Sequence, residues 1–312
     1  MSLFDRRSVS AGLIGSALAS SAQAKAGGVI PGAETWSESV MVLYFDEALR
    51  NGFSFRLSRY PERNETWVWV HVLLDGELYA YTERKVPCST DKVTAEAPVG
   101  LYPVPGLDVR MTRNGPSTAM TALSFTAVVK AHRGKSGVDG PGETPVVLEG
   151  VFRPGPLRDG SPKGRFERTG MFEASLRAGG KQAFVSGLGK AHEQTQTAPR
   201  FDTPFTYAMC WGPEASMIGL LSPKRGYGDV EIGGRDTPME AFKIEAWAPT
   251  RRFAAVLKGG GRVTGQAETL YRYSVPIFGR QWQGRIVRAE VEGHRMVGMI
   301  NDWRPEEQPY GI

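Results

Sequence analysis

The chain has 312 residues, 38 of them Lys or Arg and 33 Asp or Glu, and its formal charge of +5 is too small and too dispersed to argue for nucleic-acid binding. Thirty-eight glycines, 21 prolines and few alanine- or leucine-rich windows point to many turns and many strands. Beyond the N-terminus no stretch offers the roughly 20 unbroken apolar residues of a membrane-spanning helix, so no transmembrane segment is expected.

Residues 1–24 read as an address. Arg6 and Arg7 precede a short, weakly apolar stretch, residues 11–20, and Ala22-Gln23-Ala24 supplies the small residues that signal peptidase needs. That order predicts a secretory signal of the twin-arginine type and places the mature chain in a bacterial periplasm. Asp5, Arg6 and Arg7 give the signal a charge of +1, which leaves +4 after cleavage.

The mature chain opens with a strand-like run at 40–45. Phe53, Phe55 and Leu57 then alternate with Ser54, Arg56 and Ser58, the period of a half-buried strand. Residues 66–74 place Trp67, Trp69, His71 and Leu73 on one face and Val68, Val70, Val72 and Leu74 on the other, and Asp75-Gly76 turns the chain into a partner at 78–82. Strands are expected at 121–132 and 146–152, with a Gly- and Pro-rich loop or linker, 133–145, between them.

A second set follows: 166–176, a turn at 177–180, then 181–188, 205–211, 215–221, 239–247, 252–257, 265–273, 284–292 and 294–303. Short strands punctuated by turns, with no helix-length period, predict an all-β chain. It divides into two barrel or sandwich domains, 25–164 and 165–312. Lys258-Gly259-Gly260-Gly261-Arg262 lacks the lysine-serine ending of a phosphate loop and reads as a tight hairpin turn. Gly-x-Ser-x-Gly is absent, so a serine-hydrolase elbow has no support.

Cys88 and Cys210 are the only cysteines; in an oxidising compartment they either form one disulfide or stay as two buried thiols. The histidines at 71, 132, 192 and 294 show no ligand spacing, so neither a metal nor another cofactor is indicated.

Chemistry concentrates in a polar, aromatic-edged island, residues 187–212, that holds His192, Glu193, Arg200, Asp202, Tyr207 and Trp211. Glu193 is the first candidate for a proton-donating acid, because a carboxyl in an apolar pocket keeps its proton near neutral pH. His192 or Asp202 is the candidate base. Neighbours on a regular strand point to opposite faces, so His192 and Glu193 share a pocket only if the island is a loop or bulge. Glu268 is the second carboxylate candidate, paired with Gln266 if their common face turns inward. Trp67, Trp69, Tyr207, Trp211, Trp247 and Trp282 are candidates for an aromatic ligand wall, or else plain core.

Three segments carry a family resemblance: Glu34-Thr35-Trp36-Ser37-Glu38-Ser39, Gly187-Leu188-Gly189 with the stretch from His192 to Trp211, and Gly265-Gln266-Ala267-Glu268. Together they resemble the two-domain lipocalin-like proteins grouped with carotenoid 1,2-hydratase (hydroxyneurosporene synthase), kievitone hydratase and lipocalin-like Diels–Alderases. That resemblance implies two lipocalin-like β domains packed together, with a bulky apolar molecule bound between or within them. It also implies hydration, cyclisation or isomerisation without a cofactor. The expected function is therefore a hydratase, or related lyase, isomerase or cyclase, on a terpenoid, steroid or aromatic molecule. The same pocket equally serves a periplasmic binding protein for a hydrophobic small molecule.

The address makes the first prediction. Replacing both Arg6 and Arg7 with Lys leaves the charge intact but removes the twin-arginine signature, so the precursor accumulates in the cytoplasm. Fractionation with immunoblotting checks this, and an unchanged periplasmic yield sinks the twin-arginine route.

Overall fold

The alternating segments become strands because each residue pair along them serves two different surroundings. The computed structural model describes residues 36–158, 164–197, 201, 203–277 and 280–303; the expected signal at 1–24 lies outside them. The first ten strands are β1 (Ser37–Phe45), β2 (Gly52–Tyr60), β3 (Glu65–Leu74), β4 (Glu77–Val86), β5 (Val99–Pro103), β6 (Asp108–Asn114), β7 (Ala122–Arg133), β8 (Thr144–Leu157), β9 (Arg165–Ala178) and β10 (Lys181–Gln196). The last eight are β11 (Phe205–Trp211), β12 (Ala215–Leu221), β13 (Gly226–Ile232), β14 (Arg235–Ile244), β15 (Thr250–Leu257), β16 (Arg262–Ile277), β17 (Arg280–Val291) and β18 (His294–Trp303). Among the described residues no helix is long and apolar enough to cross a membrane.

β1 to β10 form one antiparallel sheet in the order β4-β3-β2-β1-β10-β9-β8-β7-β6-β5. Tyr79 and Ala80 of β4 pair with Arg133 and His132 at the end of β7, which curls eight strands round. The rest of β7 pairs with β6, so the β5–β6 hairpin continues the sheet past the seam. β11 to β18 form a closed up-and-down barrel, sealed by β11 against β18. The all-β, two-barrel expectation holds, and Lys258 to Arg262 is the tight turn between β15 and β16.

The expected boundary at 164/165 falls inside the first sheet. β9 pairs with β8, and β10 pairs with β9 and with β1 from Ser37↔Gln196 to Leu43↔Lys190, so this sheet is incomplete without residues 165–196. The change of sheet lies between β10 and β11. Nor is 133–145 an inter-domain linker, since it joins β7 to β8. It braces the second barrel: the Gly137 N–H donates to Ser274 O at 2.9 Å, and the Ser274 N–H donates to Ser136 Oγ at 3.0 Å.

Three apolar layers result. Val40, Val42, Phe53, Phe55, Leu57, Val68, Val70 and Val72 face into the first barrel. Ala208, Met217, Phe242, Phe253 and Ile300 fill the second. Between the barrels lies an aromatic layer built from Met41, Leu43, Phe45, Trp67 and Trp69 on one side and Tyr207, Trp211, Tyr273, Trp282 and Trp303 on the other. A β-bulge between Thr269 and Tyr271 makes this layer possible. Before it Val263 and Ala267 point inward; after it the parity flips, and Tyr271, Tyr273, Val275 and Ile277 turn to the first barrel. Cys88 and Cys210 are separate buried thiols, and burial pushes the Cys210 thiol up to about 12.

An ionic brace joins the barrels beside the aromatic layer. Arg158, just past β8, is buried and donates to Asp229 Oδ1 at 2.6 Å and Ser216 Oγ at 2.6 Å, and pairs with Glu231 and with Asp236 at 3.1 Å. Burial pushes the Asp229 carboxyl up to about 7 against the pull of Arg158. Truncating a buried partner leaves its counter-charges stranded, so Arg158→Ala is expected to lower the unfolding free energy by about 3–5 kcal/mol. Urea unfolding monitored by tryptophan fluorescence measures it, and a loss under about 1 kcal/mol, the scale of an exposed pair, contradicts the brace.

Candidate functional site

β1, β2, β3 and the end of β10 have protein on both faces, and that decides where their polar side chains go. β10 is regular here, with Met41↔His192 and Val40↔Glu193 in register. Lys190 and His192 therefore point toward the second barrel. Glu193 points into the first, where its carboxylate lies 2.9 Å from Arg113 Nε and accepts from the Tyr102 hydroxyl at 2.5 Å. The shared pocket that a loop or bulge would have given the pair is not formed.

A cavity of about 510 Å³ opens between the barrels. The first sheet contributes Met41, Arg56, Arg165, His192, Gln194 and Gln196. The second barrel contributes Tyr207, Leu220, Tyr227, Trp282 and Asn301, and Phe201 and Phe205 close one side. Pro223 and Lys224 form the tip of the tight β12–β13 turn, and Lys224 and Arg225 reach the cavity from it.

Behind His192 and Tyr207 lies a buried charge network. Lys190 Nζ pairs with Glu167 Oε2, donates to Tyr207 Oη at 2.6 Å and lies 3.2 Å from His192 Nδ1. Tyr207 Oη in turn donates to Glu167 Oε1 at 2.7 Å. Arg165 pairs with the same carboxylate and stacks over the Tyr207 ring at 4.3 Å. One anion thus serves two cations. Burial opposes ionisation of Glu167, yet Arg165 and Lys190 outweigh it and hold the carboxyl at about 2. For Lys190 burial, aided by the competing Arg165, outweighs the pull of Glu167 and the weaker one of Asp229 and brings its ammonium down to about 8. Burial also raises the Tyr207 phenol well above its ordinary value, which keeps it protonated near neutral pH.

Of the residues singled out from sequence, His192, Tyr207 and Trp282 line this cavity. Trp67 and Trp69 stand one layer back: Trp69 packs 5.0 Å from Trp282 and Trp67 stacks 5.8 Å from Phe201. Trp211 stacks on Phe45 elsewhere in the aromatic layer, and Trp247 sits under Arg285 outside it. Gln266 and Glu268 belong to the outer face of β16 before the bulge. Both are exposed, and Glu268 pairs loosely with Arg288 at 3.6 Å, so the inward polar pair is not formed. Asp202 and Arg200 lie outside the described residues. Sequence reasoning missed Arg165, Glu167 and Lys190. Their signal is the polar series Lys190-His192-Gln194-Gln196 at period two, facing Arg165-Glu167 across the β9–β10 register.

Among the described residues no group of three or more His, Cys, Asp or Glu is placed to hold a metal ion. No family model and no curated protein matches the sequence. Solved structures do share the architecture. CghA in complex with Sch210972 superposes with a TM-score of 0.58 at 9% identity, covering 87% of this chain and 89% of that one. A candidate AttH from Nitrosomonas europaea gives 0.56 at 11% identity, covering 86% and 91%. Kievitone hydratase from Nectria haematococca lies further off, at 0.49 and 8% identity, covering 86% and 88%. The chain therefore has the two-barrel lipocalin-like fold, and the resemblance drawn from sequence is borne out in that fold.

The network makes a prediction with a definite sign. Glu167 titrates at about 2 when folded and near its ordinary 4.5 when unfolded, so its stabilisation is complete above pH 4.5 and disappears as pH falls toward 2. Glu167→Gln strands two buried cations and is expected to destabilise by about 3–5 kcal/mol at pH 7. The gap between wild type and variant shrinks through the acid window. Chemical denaturation at a series of pH values checks it, and a gap independent of pH contradicts the assignment.

Proposed function

We propose that this chain is a cofactor-independent hydratase, or a related lyase, isomerase or cyclase, acting in the periplasm on a bulky, largely apolar molecule held between the barrels. One observation carries the reading. A fully buried ammonium, brought down to about 8, touches two side chains that line an aromatic-walled cavity, His192 and Tyr207. A donor serves best when its pKa lies near the working pH, and burial of Lys190 brings it there. A carrier, whatever its ligand, has no use for a proton donor poised near neutral pH beside its pocket. The fold supports the binding of a small molecule, since CghA has this architecture and was crystallised with Sch210972.

Each side chain then has a part. With Lys190 charged, its ammonium donates to His192 Nδ1, and the neutral imidazole carries its own proton on Nε2. In hydration the π pair of a double bond takes that proton to form the new C–H bond, while Lys190 passes a proton to Nδ1. Water adds its oxygen to the other carbon, and the proton it sheds restores the Lys190–His192 pair. Elimination runs these steps in reverse. Glu167 and Arg165 position the lysine and the tyrosine without entering the exchange. Trp282, Phe201 and Phe205 hold the apolar body and keep water scarce.

Native mass spectrometry of protein purified from its own periplasm identifies the retained molecule, and its turnover is then followed. His192→Gln is expected to reduce kcat by roughly 10²–10⁴ with little change in ligand affinity. In wild type the hydration rate falls above about pH 8, where Lys190 loses its charge, and Lys190→Met abolishes that limb. A ligand released chemically unaltered by the wild type identifies a carrier instead.

A further inference from the structure

The cavity between the barrels combines aromatic side chains with a cationic lining. Arg56, Arg165, Lys224 and Arg225 all line it, and among the described residues no Asp or Glu does. Behind it, Glu167 is already shared by Arg165 and Lys190, so that group of three keeps a net positive charge. Lys224 and Arg225 are exposed on the β12–β13 turn, and Arg225 is held over the Tyr227 ring at 4.8 Å. In the opposite wall Trp282 is buried and its indole N–H has no hydrogen-bond partner among the described residues. An indole nitrogen can only donate, so an acceptor is missing there.

A neutral hydrocarbon satisfies none of these groups. Covering the exposed Lys224 and Arg225 with one removes their water and returns nothing. A molecule with one acidic group does both jobs: its apolar body covers Phe201, Phe205, Leu220 and Trp282, and its anion replaces the water on the cationic side chains. We infer that the ligand is an amphipathic organic anion, an aromatic or polycyclic body carrying a carboxylate, sulfonate or acidic enol. The inference rests on the proposed site between the barrels and narrows its substrate class. It assigns Lys224 and Arg225 as residues that select the ligand by charge, separate from the proton exchange at His192.

Two dyes that differ by one group test it on the intact protein. 8-Anilinonaphthalene-1-sulfonate and N-phenyl-1-naphthylamine share the same aromatic body, and only the first carries an anion. Fluorescence titration at low salt is expected to give the sulfonate at least a tenfold lower Kd, with the advantage shrinking as salt is added. Lys224→Gln with Arg225→Gln, on an exposed turn, is expected to remove most of that advantage while the neutral dye binds as before. A Trp282→Leu variant places the dyes: both weaken if they occupy this cavity. Equal affinity for the two dyes in wild type, with Trp282→Leu weakening both, overturns the anion inference and leaves the apolar site standing. Binding of neither dye, or binding indifferent to Trp282→Leu, overturns the site and this inference with it.

Discussion

A strand with protein on both faces has no water to receive a misplaced polar group, so each polar side chain along it must find its partner inside the molecule. β1, β2, β3 and the end of β10 make such a wall, serving as lining for the first barrel and as docking surface for the second. The pleat then does the sorting. Val40, Val42 and Ala191 go inward with Glu193, while Met41, Lys190 and His192 go outward, although the residues alternate one by one. A one-residue slip in the β1–β10 register would carry every one of these groups to the wrong side. The wall thus fixes both the core of the first barrel and the chemistry of the cavity.

Burial of Lys190 follows from that wall, and so does its unusual electrostatics. An isolated ammonium would not stay charged there, but Glu167, Tyr207 and His192 surround it on three sides. Adding Arg165 makes the group asymmetric. The single carboxylate is stabilised by two cations and is held firmly ionised, whereas burial, helped by the neighbouring Arg165, brings the lysine down to about 8. Strong pairing keeps most buried ion pairs inert. Here burial, with a surplus cation beside it, leaves one member able to exchange a proton next to a cavity between the barrels.

The sequence made much of this architecture legible wherever alternation was clean. β1 to β4 could be read from the run at 40–45, Phe53-Phe55-Leu57, the Trp67 to Leu74 pleat and the Asp75-Gly76 turn, and most of the second barrel from its short, turn-punctuated strands between 205 and 303. β5, β6 and β13 were missed: β5 is only five residues long and holds both a Gly and a Pro, while Arg113, Asp229 and Glu231 interrupt the other two with charges whose partners lie far away in sequence. The sheet boundary was invisible for the same reason: β10 returns to β1 across more than a hundred residues, and no local signal encodes that pairing. At the site, His192 and Tyr207 stood out in the polar island at 187–212, and Trp282 as one of the strand aromatics. Lys190, Glu167 and Arg165 did not, since charged residues on a strand ordinarily face water. Glu268 misled because the bulge at Thr269/Tyr271 reverses which half of β16 looks inward, a change that residue types alone do not announce.

Solved structures with this fold share only about a tenth of its residues, so the architecture cannot depend on particular contacts being kept. Period-two patterning, barrel closure and one apolar face per barrel suffice for it. The cavity is a different matter. Its lining comes from both barrels, with His192 and Arg56 on one and Tyr207, Trp282 and Asn301 on the other, so neither barrel holds the site alone. Its shape is set by how the barrels dock, through the aromatic layer, the Arg158 brace and the Ser136–Gly137 loop clasped to Ser274. Side chains at such a seam can change with little effect on either barrel's own core. That separation lets one stable scaffold present different chemistry, and it makes the residues of the seam, more than those of the cores, decide what this protein binds.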